Sequence, residues 1–244
     1  MRDLQCPGLD TLPAPARAYV VAAGVVGRAP VHCVDLRQQG YFRMGPGQRW
    51  LPMTARQHFT ADPPGFRWVG TIRPLPLVSA TGEDVFAAGH GSLHVRLLSV
   101  FPLAEAHGPQ TDEAEMQRFL GELAWLPTAW LSPWLRWEAV DDRSCRVVMD
   151  YGGTRAAVTL HFAADGHLGK VTADRYREDH GQFTRDPWTG RLWGFREAGG
   201  LLVPTGAEAA WELDSGEFSY FHADLTEIAY DGSRATVWKP SRAG

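Results

Sequence analysis

The chain has 244 residues, 44% of them hydrophobic, and a formal net charge of −4 with arginines scattered singly among acids. That length suits one large β domain with a sizeable core, and a chain with no basic stripe is poorly suited to neutralising nucleic-acid phosphates. No apolar run reaches the roughly 18 residues of a spanning helix, and three cysteines, Cys6, Cys33 and Cys145, without a CxxC pair argue against a disulfide framework.

In chain order, the residues up to Pro15 hold no apolar segment of the signal-peptide kind, so the expected compartment is cytoplasmic and reducing. A first helix fits Pro13 to Ala23, with Pro15 in its first turn and Gly24 as its stop. Strands follow at Val31–Met44, Gln48–Thr60, Phe66–Arg73, Leu77–Ala88 and Ser92–Val100, separated by Gly/Pro turns. In the first, Val34, Leu36 and Phe42 alternate with Asp35, Arg37 and Gln39, which is the period of a half-buried strand. A second helix fits Asp112–Trp125, where Met116, Phe119, Leu120 and Leu123 repeat at helical spacing and Pro127 closes the run. Trp125–Trp137, broken by Pro127 and Pro133, is not regular throughout. Strands resume near Leu135–Val140, Cys145–Asp150, Thr154–Phe162, Leu168–Arg177, Gly190–Ala198, Leu201–Leu213 and Phe218–Tyr230. The reading is one domain over residues 1–244: mainly β, about a dozen antiparallel strands with two helices.

Ten tryptophans are a heavy load, and Trp125, Trp130, Trp134 and Trp137 fall within one short segment. They either line the mouth of an apolar cavity or plug the open end of a curved sheet. Glu115, Arg118 and Glu122 share one helix face beside the apolar stripe. They are either a capping box from Asp112 to Glu115 with an ordinary ion pair, or carboxylates facing a cavity, able to act as a general base. His90 and His94 sit on an alternating strand, where residues four apart lie roughly 13 Å from each other, so no metal site is expected. His94 and Arg96 form a candidate site only if their side of the strand turns inward. In the C-terminal half, Arg175, Tyr176, Arg177, Trp188, Arg191, Trp193 and Arg196 mix guanidinium and aromatic groups, suited to cation–π stacking or to holding an anionic headgroup. No GxSxG elbow, Walker loop or GxGxxG is present, and no cofactor is expected.

The segment RFLGELAWLPTAWLSPWLRWEA, with LPAPARAYV, GQRWLPMTARQHFTADPPGFRW, GSLHVRLLSVFPLAEAHGP and DPWTGRLWGFRE, resembles a bacterial domain-of-unknown-function family over nearly the whole chain. More remotely, the order of strands and helices is similar to the LolA/LolB-like lipoprotein-carrier fold. That resemblance implies a strongly curved antiparallel sheet, or half-barrel, around apolar helices and a hydrophobic cavity. The expected partner is then a hydrophobic small molecule, lipid-like or terpenoid-like, held among Trp50, Trp68, Arg96, Met116, Arg118, Phe119, Trp125, Trp130, Trp134 and Trp137. The alternative is a cofactor-independent hydrolase, isomerase or cyclase in which Glu115, Glu122, His94 or Glu138 moves the proton. A third reading, a plain interaction domain, requires an exposed aromatic patch instead. The sequence leaves the oligomeric state open.

Overall fold

The computed structural model describes residues 8–75, 78–98, 101–179 and 181–239. Cys6 and the expected strand ends at Leu77 and Val100 lie outside them. Helix α1, Ala14–Ala22, holds Pro15 in its first turn and stops before Gly24, whose φ of 78° suits a residue without Cβ. Six strands follow: β1 Cys33–Phe42, β2 Leu51–Ala61, β3 Pro64–Leu75, β4 Val78–Ala87, β5 His90–Leu97 and β6 Phe101–His107. Helix α2, Pro109–Glu122, and two 3₁₀ turns, Leu123–Trp125 and Pro127–Leu131, lead to the second series. This comprises β7 Leu135–Asp141, β8 Ser144–Tyr151, β9 Thr154–Phe162, β10 Leu168–Asp179, β11 Gln182–Trp193, β12 Arg196–Ala198, β13 Leu201–Val203, β14 Gly206–Leu213, β15 Gly216–Tyr230 and β16 Thr236–Val237.

All pairings are antiparallel, in the order β6-β5-β4-β3-β2-β1-β15-β14-β11-β10-β9-β8-β7, with β16 beside β15 and β12–β13 a separate hairpin. Two meanders are thus joined where β1 meets β15. Alternation decides which face is core. In β2, Met53, Ala55 and Phe59 are buried, while Thr54, Arg56 and His58 are exposed. Across the strands Val34, Phe59, Phe66 and Phe86 stand directly opposite one another in one apolar row. Phe119 of α2 lies on that row, its ring stacked on Phe59 with centroids 4.6 Å apart and planes 8° from parallel. Each such side chain contributes about 1.5–3 kcal/mol by leaving water.

The sheet is a curled half-barrel, and α2 is the gauge of its curl. The helix packs on β4 and β5 and also on β9 and β10. In a flat sheet β5 and β9 would stand nine spacings apart, roughly 43 Å at the strand separation. A helix about 10–12 Å across touches both only if the sheet wraps around it. At one rim the wrapping brings backbone to backbone: a Cβ on Gly89, in the β4–β5 turn, would meet the Gly152 Cα and the Tyr151 carbonyl at 2.6 Å. Both turns therefore need glycine, and both glycines have positive φ.

Several elements differ from their sequence reading. Between the expected strand ending at Val100 and the expected helix start at Asp112 lies edge strand β6, whose side chains are mostly exposed. Helix α2 begins three residues earlier than its expected start at Asp112, because Pro109 is preset for a first helical turn. Asp112 is therefore no cap; its carboxylate accepts the Gly91 N–H at 2.7 Å instead, and Gly108 holds the N-cap position. The expected strand Leu201–Leu213 is two, β13 and β14, and β11 starts at Gln182 rather than Gly190.

Candidate functional site

Glu115, Arg118 and Glu122 project from one face of α2 into the bend of the sheet, where strand residues of both meanders meet them. On β2 and β4 the inward positions are Ala55, Gln57, Phe59 and Gly82, Asp84, Phe86, so Gln57 and Asp84 are polar interruptions of a core face. Trp68 stands between them in the register, opposite both. Arg118 binds the Asp84 carboxylate through Nη1 and donates from Nε to Glu122 at 2.9 Å. Its guanidinium lies over the Phe66 and Trp68 rings, 4.9 and 5.0 Å from their centroids. The Gln57 amide donates to the other Glu122 oxygen at 2.5 Å, and the Trp68 indole N–H donates to Gln38 at 3.0 Å.

From the second meander, Arg175 on β10 donates to Glu115 at 3.4 Å and to the Ala114 carbonyl at 3.1 Å, and it lies over the Trp188 ring, 5.3 Å from its centroid. The cluster thus ties α2 to both arms of the sheet. It holds the carboxyl groups of Asp84, Glu115 and Glu122 against the guanidiniums of Arg118 and Arg175, an excess of acid. Burial, reinforced by the Asp84 charge, pushes the Glu115 carboxyl up to about 7. Burial also raises the Asp84 pKa, against the pull of Arg118 and Arg175. Burial disfavours the Arg118 charge, but Glu122, Asp84 and Glu115 outweigh it and raise that pKa above its ordinary value.

The other expected site residues divide cleanly. Met116, Phe119, Trp125 and Trp130 are buried in the core, Trp134 and Trp137 are half-buried against it, and Trp50 is exposed just before β2. The Trp125 and Trp130 N–H groups are spent on the Pro204 and Leu123 carbonyls, both at 3.0 Å. Trp130 packs on Tyr19 of α1, centroids 4.7 Å apart, and on Trp137 at 5.1 Å. The hollow expected beside the Met116–Leu123 stripe is therefore filled by these side chains. His94 and Arg96 face outward, as does Glu138. His94 stands opposite Glu83 and Glu105 and meets Glu105 at 3.3 Å, while Glu138 stands opposite Arg146 and is exposed. A depression of about 270 Å³ also lies on this outer face, lined by Asp35, Arg37, Arg56, His58, Arg67 and Glu227 among others.

Sequence reasoning missed Asp84, Gln57 and Gln38. The available signal was the break in period-two apolarity at each of them. Arg175 was singled out, but for its aromatic neighbours rather than for Glu115.

These features define a class: a curled antiparallel half-barrel with its helices inside the curl and a buried charge cluster between helix and sheet. The chain belongs to DUF6920, a family of unknown function, which it matches over residues 10–230. No curated protein matches it. Among solved structures it is similar to a LolA superfamily protein from Nitrosomonas europaea, at 14% identity and a TM-score of 0.45, over 86% of this chain and 90% of that one. It is also similar to a DUF1329 family protein from Desulfovibrio piger, at 12% identity and a TM-score of 0.47, over 92% and 95%. Among the described residues no helix is long and apolar enough to cross a membrane.

Proposed function

We propose that the chain binds an apolar small molecule, lipid-like or terpenoid-like, on the part of the concave face that α2 leaves uncovered. The observation that carries this is a band of apolar residues crossing five strands: Met53, Ile72, Ala80, Leu97 and Phe101 stand opposite one another in turn. They share the face that carries the core. Toward the closed rim, the row of Phe59, Phe66 and Phe86 is sealed, none more than 4% exposed. In the band, Ile72, Ala80 and Leu97 are only half-buried and Phe101 is 59% exposed. The neighbouring row, Ala55, Gly70, Gly82 and Val95, is small, and the Trp68 ring lies across Gly70 and reaches Gly82, so an indole face forms part of the floor. A continuous apolar surface flanked by a few polar groups is the usual form of a small-molecule site.

The catalytic alternative keeps one of its four acids. His94 and Glu138 stand on the outer face, and Glu122 is held by Arg118 and Gln57. Glu115 remains, but it is ion-paired to Arg175 and covered by Gly91, so binding is the better-supported reading.

Native mass spectrometry of the purified full chain tests the proposal. An apolar adduct is expected, or a tryptophan fluorescence change on titration with a panel of lipids and terpenoids. Ile72→Glu together with Leu97→Glu should remove either signal while leaving the fold intact. A wild-type chain with no adduct and no response to the panel sinks the reading.

A further inference from the structure

The apolar band meets the charge cluster across the Trp68 ring, which lies over Gly70 and carries the Arg118 guanidinium. One step along β2, β4 and β5, the inward residues Ala55, Gly82 and Val95 give way to Gln57, Asp84 and Leu93. Around Arg118, three buried acceptor atoms from three different elements have no donor: Gln57 Oε1 on β2, Asp84 Oδ1 on β4 and Glu115 Oε2 on α2. Gln57 is 3% exposed and Glu115 7%. An acceptor buried without a donor costs about 1–3 kcal/mol, so three together call for an occupant that brings donors. The charge points the same way, since Asp84, Glu115 and Glu122 outnumber Arg118 and Arg175.

We infer that the bound apolar molecule carries a protonated amine as its head, placed among Gln57, Asp84 and Glu115, with its body lying along the Ile72–Leu97 band. The inference rests on the proposed function and narrows its ligand class. An ammonium group supplies up to three N–H donors and one positive charge, which meets both deficits. A carboxylate or phosphate head would set like charge beside Asp84 and Glu115 and bring no donor. A hydroxyl head would satisfy one acceptor and leave the charge unbalanced.

The experiment titrates the full chain with dodecylamine, dodecanol and dodecanoate, each below its aggregation concentration, following tryptophan fluorescence at constant salt. Dodecylamine should bind at least about tenfold more tightly than either of the others, as charge-assisted hydrogen bonds are roughly twice as strong as neutral ones. Asp84→Asn and, separately, Glu115→Gln should each erase most of that preference, lowering dodecylamine affinity more than dodecanol affinity. Near-ultraviolet circular dichroism checks that both variants remain folded, and two variants guard against the failure of either. Equal binding of all three amphiphiles, or a preference that survives both substitutions, overturns the inference while sparing the binding reading. Absence of binding by any of the three overturns both.

Discussion

Glu115 sits where α2, β5 and β10 converge, with Gly91 against its side chain and Arg175 as its ion-pair partner. Burial pushes its carboxyl up to about 7 in the folded chain, from an ordinary value of about 4.5. Between those two values the folded state holds a proton that the unfolded state releases. Stability from this group is therefore greatest below about 4.5, declines as pH rises, and is lowest above about 7. Glu115→Gln mimics the protonated form and removes the dependence. Relative to wild type at the same pH, the variant should be favoured by about 2 kcal/mol more at pH 8 than at pH 4, read from urea unfolding midpoints. A constant difference across that range would place the titration elsewhere. At this scale the sequence was half legible. Helical rotation put Glu115, Arg118 and Glu122 on one face, but their orientation toward the sheet depended on partners such as Asp84 and Arg175, distant in sequence from one another. The outward turn of His94 and Arg96 followed from which side of β5 carries Leu93 and Val95, which alternation alone leaves open until one face is known to be core.

Among the elements, α2 and the two turns that meet at the rim decide how tightly the sheet bends. A Cβ on Gly152 would strike the Ala88 carbonyl oxygen, whereas Gly153, also at positive φ, has open space around its missing Cβ. The pair separates rim closure from ordinary turn strain. Gly153→Ala should cost about 1 kcal/mol, the penalty of the left-handed conformation alone. Gly152→Ala should cost about 2–4 kcal/mol, because backbone must also move apart. Thermal midpoints of the two variants check this, and equal losses would mean that the rim contact adds nothing. Of the two turns, Gly152-Gly153 was readable from its paired glycines, since only local conformation was needed. Their meeting was not, because it joins parts of the chain about sixty residues apart. Strand β6 escaped notice for a different reason. It is an edge strand with Pro102 near its start and mostly exposed side chains, so no apolar alternation marks it. The proline-broken tryptophan segment was readable as irregular, and it forms two short 3₁₀ turns that plug the curl.

At the scale of the whole molecule, antiparallel β architecture was legible from alternation and turn spacing, but the curl was not, because bending is set by what packs inside. Here α2 lies against both arms, and its charge cluster binds Asp84 and Gln57 of one arm and Arg175 of the other. The arms are also joined edge to edge along β1 and β15, nine register pairs long. Neither arm can then lose its structure without exposing the helix face that the other buries. The chain should accordingly unfold in one step despite its length. Trp130, 1% exposed and wedged between Tyr19, Trp137 and Phe162, makes tryptophan fluorescence a probe of the central core. Far-ultraviolet circular dichroism reports the sheet as a whole. The two signals should share one urea midpoint within error, as a two-state transition requires. If instead dichroism is lost in two stages and fluorescence follows only one, the arms fold separately, and α2 is a lid laid on a preformed sheet rather than the piece around which the sheet closes.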